Sequence, residues 1–310
     1  MTITTPSAPF TADSVHDYFG FKSHWVSTRP GENIHYLDEG PEDGEVVVLA
    51  HGSALGITSA ANFYLTIPAL VSAGYRVLAP DLYGYGWTET PEGVAPWRTN
   101  HVDLIIRLMD ALSIGRAWMI GNSLGGMVTA DLAIHHPDRV IGNIVIGTGG
   151  ALWKHGARFA PNQTSRGEAV PYSRDMVRKS MLHLVHNPAA VTDMLVEFRI
   201  KMAERSGAYD RHVEATKKRE EIKKLAPFDE AKAATCAVPT LFIYGREDRV
   251  NPPEDALAGA EAFPNADMIL LGHCGHWTMI ERADDFNHFM LNFMRAQSAR
   301  IVAAAEAATG

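Results

Sequence analysis

Residues 117–126 read AWMIGNSLGG: an apolar run that passes through Gly121, Asn122 and Ser123 into Leu124, Gly125 and Gly126. Its first part, AWMIG (117–121), is near-continuously apolar, the pattern of a strand buried on both faces of a parallel sheet. The residues that follow, 124–136, have helical spacing and stop before Pro137, where a helix is expected to end. Glycines two before and two after Ser123 let a strand turn sharply into a helix without Cβ clashes. The serine is then held on a strained turn with its hydroxyl above the sheet, over a helix N-terminus whose backbone N–H groups favour negative charge. Strand, G-x-S-x-G and helix together form a nucleophile elbow. A serine that merely caps a glycine-rich helix is the plainer reading, and the strand in front of it argues against that.

Working outward, similar apolar runs occur at 46–50, 75–80, 140–147, 240–245 and 268–272, separated by helix-patterned segments at 62–73, 98–112, 253–263 and 282–297. Alternation of this kind predicts a doubly wound α/β domain. Two earlier strands, near 24–28 and 34–39, flank the turn-rich RPGEN and form an antiparallel start. The expected architecture is a mostly parallel eight-stranded sheet with helices on both faces. The alternation stops over 151–226, which holds amphipathic stretches at 173–186 and 190–205 and the charged run KKREEIKK at 217–224. That run reads as a solvated helix face. The segment therefore reads as a helical cap domain inserted between core segments 1–150 and 227–310, above the strand ends where α/β sheets bind ligands. The Ala-rich tail, IVAAAEAATG, is expected to fray.

A serine hydroxyl needs an adjacent base to attack at neutral pH. In elbow-bearing folds the chain order is serine, acid, histidine. Asp248 follows the run TLFIYG and His276 follows the last strand, so both fall on loops at strand C-terminal ends. Glu247 competes with Asp248, but adjacent loop residues point in different directions. His273 stands three before His276 without a carboxylate cluster beside it, so a metal pair is not the expected reading. His135 and His136 end the elbow helix, where a positive charge complements the helix dipole. The loop after 46–50, His51-Gly52-Ser53-Ala54-Leu55-Gly56, is placed to supply one oxyanion donor, the N–H of Ser53; the N–H of Leu124 is the other. The turn Asp81-Leu82-Tyr83-Gly84-Tyr85-Gly86 reads as structural.

The chain has 310 residues, a formal net charge of −8 and 46% apolar residues. That composition is ordinary for a soluble domain and gives no electrostatic attraction to nucleic acid. The two cysteines, Cys236 and Cys274, make no disulfide framework, so a cytoplasmic setting is expected. The first residues lack the pattern of a signal peptide, and no run is long enough to span a membrane. Neither a cofactor nor a metal is expected.

HGSALGITSAANF (51–63), GNSLGG (121–126), VTDMLVEFR (191–199), GREDRVNP (245–252) and HCGHWTMIE (273–281) together resemble the meta-cleavage product hydrolases of the α/β-hydrolase fold. The resemblance spans roughly 45–297 and implies hydrolysis of a carbon–carbon bond in a 2-hydroxy-6-oxo-hexa-2,4-dienoate made by aromatic ring fission. It further implies a homo-oligomer and a small carboxylate-bearing substrate. Asn62, Asn122, Arg199 and Trp277 match the family's contacts to that substrate. Arg offers a planar fork for a carboxylate, and the plainer readings are an exposed helix arginine for Arg199 and a helix N-cap for Asn62. One departure stands out: where the family commonly has Gly-Pro, the loop has Ala54 and Leu55, which alter the cleft beside the substrate. A carboxylesterase or lactonase with the same triad, or a hydrolase-fold receptor, therefore remains open, as does the choice between an acyl-enzyme and direct attack by water.

Overall fold

The apolar runs form strands because the sheet's faces are covered; the run at 268–272 departs from that expectation, since on the sheet edge it leaves Met268 and Leu270 exposed. The computed structural model describes residues 10–148, 173–205 and 228–309. Its strands are β1 Ser23–Arg29, β2 Glu32–Glu39, β3 Val46–Ala50, β4 Arg76–Pro80, β5 Ala117–Asn122, β6 Val140–Ile146, β7 Thr240–Gly245 and β8 Ala266–Leu271. They make one eight-stranded sheet in the order β1-β2-β4-β3-β5-β6-β7-β8. β2 pairs antiparallel with β1 and β4, and every other pairing is parallel.

Strand alternation sends side chains into two apolar layers. Val47, Leu49, Trp118, Ile120, Leu241 and Ile243 point to one. Val48, Ala50, Met119, Val145, Phe242 and Tyr244 point to the other. Burying each such aliphatic side chain stabilises the fold by about 1.5–3 kcal/mol. The first layer is covered by α1 Ser14–Phe19, α2 Ser59–Phe63, α3 Ile67–Ser72 and the C-terminal helix Ala283–Thr309. The second is covered by α4 Arg98–Ala111, α5 Leu124–His135 and the helix Pro253–Ala262.

Two expectations are corrected here. The segment 62–73 is not one helix but two, α2 and α3. Pro68 lies in the first turn of α3, and a proline lacks the N–H and the space needed to continue a preceding helix. α2 starts at Ser59 under Thr58, whose hydroxyl accepts from the Ala61 N–H at 3.1 Å, so Asn62 lies inside the helix and is not its cap. The Ala-rich tail, expected to fray, instead continues the last helix to Thr309, as alanine's helix propensity favours.

Of the segment 151–226, residues 173–205 are described; the remainder, with the charged run at 217–224, lies outside the described residues. The described part holds α6 Arg174–Leu184 and α7 Asp193–Glu204, capped by the hydroxyls of Ser173 and Thr192. Their apolar faces (Val177, Met181, Leu195, Phe198, Met202) join the first layer.

Candidate active site

β5 lies at the middle of the sheet between β3 and β6, and Ser123 follows its last residue. Ser123 has φ +54° and ψ −113°, a left-handed backbone that costs a non-glycine residue on the order of 1–3 kcal/mol. Close packing holds it there. A Cβ on Gly121 would stand 2.3 Å from the Gly125 carbonyl oxygen, and one on Gly125 would stand 1.9 Å from that of Ala50. The Ser123 N–H donates to Ile146 O at 2.8 Å, and its carbonyl accepts from the Thr148 hydroxyl at 3.0 Å. α5 begins at Leu124, whose N–H the helix itself leaves without an acceptor.

Asp248 and His276 are brought together. Asp248 Oδ2 lies 2.8 Å from His276 Nδ1, and both side chains are buried. The other oxygen, Oδ1, accepts the N–H groups of Val250 and Asn251 at 2.8 and 2.9 Å, which fixes the carboxylate's orientation. Glu247 turns away: it bonds Arg246 and accepts from the Cys274 N–H at 3.0 Å. That backbone donor, with Arg246, holds the Glu247 carboxyl below its usual range despite some desolvation. A Cβ on Gly147 would stand 2.9 Å from His276 Nδ1, so the loop after β6 walls the imidazole. The backbone N–H of His276 donates to Leu184 O at the end of α6, 2.7 Å away. Burial pushes the neighbouring Cys274 thiol well up.

The loop after β3 is held from several sides. Gly52 N–H donates to Asn62 Oδ1 at 2.8 Å. His51 Nε2 accepts from the Leu82 N–H at 2.9 Å, so its proton sits on Nδ1, which donates to Gly52 O at 2.7 Å. Burial lowers the pKa of His51, and the ring acts as a neutral brace. Sequence reasoning missed this brace and that of Thr148; strand-end position next to the elbow was the available signal. Ser53 is half-buried, and Ala54 packs against the second layer. The Asp81 turn is structural as expected: its carboxylate bonds His35 Nδ1 at 2.8 Å and the Ser59 N–H at 2.9 Å. Gly86 has no room for a Cβ against that carboxylate.

Asn62, Asn122, Arg199 and Trp277 are all buried, which corrects the exposed-helix alternative for Arg199. Asn122 Nδ2 donates to Ile146 O at 3.3 Å and, weakly, to His276 O at 3.5 Å. Those bonds fix the amide so that Oδ1 is an acceptor; like Asn62 Nδ2, a donor, it has no partner among the described residues. A buried donor and a buried acceptor in this state flank Gly52 and suit a polar ligand. Arg199 lies with Cζ 5.6 Å from the Trp277 ring centroid. It donates from Nη2 to Leu55 O at 2.9 Å and from Nε at 3.3 Å.

One further histidine departs from expectation. His135 does not offer a charge to the end of α5. Its Nδ1 lies 3.1 Å from Lys232 Nζ, and burial with that neighbouring cation lowers its pKa, so it serves as a neutral acceptor. His273 has φ +54° and packs its ring 5.7 Å from that of His186.

Residues 45–283 match the family model for the alpha/beta hydrolase fold. The chain is 32% identical to a 2-hydroxy-6-oxononadienedioate/2-hydroxy-6-oxononatrienedioate hydrolase of Burkholderia vietnamiensis, over 84% of this chain and 91% of that protein. It is 31% identical to a 2-hydroxymuconate semialdehyde hydrolase of Pseudomonas sp. strain CF600, over 84% and 90% of the two chains. Among solved structures, a mutant of a meta-cleavage product hydrolase (CumD) superposes with a TM-score of 0.77 at 32% identity, covering 89% of this chain and 98% of that one. With its eight-stranded sheet, its Ser123 elbow and these relatives, the chain belongs to the meta-cleavage product hydrolases of the α/β-hydrolase fold.

Proposed function

We propose that this hydrolase cleaves the carbon–carbon bond next to the distal carbonyl of a 2-hydroxy-6-oxo-hexa-2,4-dienoate ring-fission product, with Ser123 as nucleophile, His276 as base and Asp248 orienting the base. The observation that carries the reading is the buried Asp248–His276 hydrogen bond of 2.8 Å, on loops at the same sheet end as Ser123. The curated relatives, whose names specify dienoate or semialdehyde substrates, support the substrate class.

The reaction has two stages. The enol proton of the substrate moves to the distal diene carbon, with His276 as carrier, and leaves a ketone able to accept electrons. Ser123 Oγ then adds to the distal carbonyl as its proton passes to His276. The resulting oxyanion is held by the N–H groups of Ser53 and Leu124, a type of contact worth about 10²–10³ in rate. Collapse breaks the carbon–carbon bond, and the electron pair leaves as a dienolate, which is protonated. Water then hydrolyses the acyl-Ser123 ester to a carboxylic acid. Asn62 Nδ2 and Asn122 Oδ1 bind the carboxylate and enol end, with Arg199 and Trp277 beside them and Ala54 lining the cleft. Of the cap expected over 151–226, the described helices α6 and α7 support a cover over this site, since Leu184 O and Arg199 reach His276 and Leu55; the rest lies outside the described residues.

Two buried free cysteines support a cytoplasmic setting, and no helix among the described residues is long and apolar enough to cross a membrane. Exposed Met268 and Leu270 on the edge strand β8 support a homo-oligomer. Rapid acid quench of the enzyme mixed with a dienoate, followed by mass spectrometry, tests the covalent step. Acylated Ser123 is expected; a Ser123→Ala variant with near-full turnover overturns the reading.

A further inference from the structure

We propose that Arg199 is a positioning residue for the oxyanion loop, a role separate from contact with substrate. The proposal rests on the reading of Ser123 and the Ser53 N–H given above. Arg199 turns its Nε–Nη2 edge, the one best shaped for a carboxylate, onto the Leu55 carbonyl, at 3.3 and 2.9 Å. The helix backbone sits against the same loop: Gly56 has φ +72°, and a Cβ there would stand 2.2 Å from Arg199 O.

The loop is thus held at both ends. Asn62 holds Gly52, Arg199 holds Leu55, and around Leu55 a turn closes from the Ile57 N–H to Ala54 O at 3.2 Å. The Ser53 N–H lies inside that span. The loop is also pressed on the elbow, since a Cβ on Gly52 would stand 3.3 Å from Ser123 Cβ and 3.0 Å from Asn122 Oδ1. A shift of the loop therefore moves the Ser53 donor relative to the serine. Leu55 has no ring to fix its φ, so the clamp must come from outside the loop.

α7 is itself anchored from the far side. Phe198, next to Arg199, packs edge-on against Phe10, Tyr18 and Phe19 at centroid distances of 5.6, 5.2 and 4.8 Å. Aromatic pairs of this geometry contribute about 0.5–1.5 kcal/mol each beyond area burial. The N-terminal segment thereby fixes the helix that carries the clamp.

The test uses a neutral probe with no carboxylate, so that loss of carboxylate recognition cannot mimic the effect. Diethyl 4-nitrophenyl phosphate phosphorylates an activated serine, whose oxygen displaces 4-nitrophenolate while the base takes the proton. The rate at saturation and the half-saturation concentration are measured for wild type, R199M, R199K, G56A and S123A, with thermal melts alongside. R199M and G56A are expected to phosphorylate roughly tenfold more slowly at saturation, the scale of a slightly misplaced group, with half-saturation unchanged. R199K, which keeps one donor for Leu55 O, is expected to recover part of the rate. R199M at the wild-type rate, or a change confined to half-saturation, overturns the proposal; should R199M not fold, G56A and R199K decide it in the same way. A wild type that is not labelled, or S123A labelled equally well, overturns the nucleophile reading instead.

Discussion

Asp248 touches His276 through one oxygen and the backbone of its own loop through the other, so a single carboxylate both orients the imidazole and is itself oriented. The adjacent acid, Glu247, has no part in this contact. Asp248→Asn keeps the size of the side chain but offers the imidazole the wrong hydrogen-bonding partner. It is expected to lower kcat on a dienoate by roughly 10³–10⁴, with KM changed little. Glu247→Gln, measured beside it, is expected to stay within a few-fold of wild type.

The elbow glycines make a prediction about stability. Gly125 lies where a Cβ would meet the Ala50 carbonyl at 1.9 Å, whereas Gly74, with φ +90°, has nothing within 4 Å. Gly125→Ala must displace backbone and is expected to cost about 3 kcal/mol or more. Gly74→Ala carries only the conformational strain, about 1–2 kcal/mol. Urea unfolding of both variants against wild type measures the difference.

His101 makes stability depend on pH. Burial, with the nearby His51, pulls its pKa down from 6.5 to about 3, and the Pro96 carbonyl opposes this only in part. The folded value lies below the unfolded one, so the unfolded chain takes up the proton first. The stabilising share is fully present above pH 6.5 and is lost as pH falls toward 3. His101→Phe removes that loss. Its stability relative to wild type should rise by about 1.4 kcal/mol per pH unit below the unfolded value, or roughly 2–3 kcal/mol by pH ~4.5. Asp131, pushed up to about 6 by burial against the pull of Arg98, acts in the opposite sense but is common to both proteins and cancels. Chemical unfolding at a series of pH values reads the difference directly.

Asn62 supplies a further test. Its Oδ1 holds the Gly52 N–H at 2.8 Å, and its Nδ2 has no partner among the described residues. Asn62→Asp keeps the acceptor but loses the donor, and places a carboxylate beside the substrate's own. KM for the dienoate is expected to rise at least tenfold, about 1.4 kcal/mol, while the neutral organophosphate reacts at close to the wild-type rate.

The strands were legible because burial on both faces leaves an unmistakable apolar run; β3, β5 and β7 start and stop within a residue of where the pattern places them. The elbow was legible because its glycines are a local demand of backbone geometry. What required tertiary structure was less visible. The split at Pro68 was readable in principle, yet helical spacing on both sides masked it. The grip of Arg199 on Leu55 joins residues 144 apart in sequence, and no local pattern announces such a contact. The aromatic packing of Phe198 against the N-terminal segment is of the same kind. His135 read as a charge at a helix end until Lys232, remote in the chain, turned it into an acceptor.

The central claim is that Ser123 drives carbon–carbon hydrolysis of a ring-fission dienoate. The most direct measurement follows the visible absorbance of a panel of 6-alkyl and 6-aryl 2-hydroxy-6-oxo-hexa-2,4-dienoates with wild type and Ser123→Ala, with products identified by mass spectrometry. The account predicts loss of absorbance with wild type, one carboxylic acid and one 2-hydroxypentadienoate per substrate consumed, and a fall of at least about 10³-fold in the variant. Simple esters consumed while every dienoate stays intact, or Ser123→Ala as fast as wild type, would contradict it.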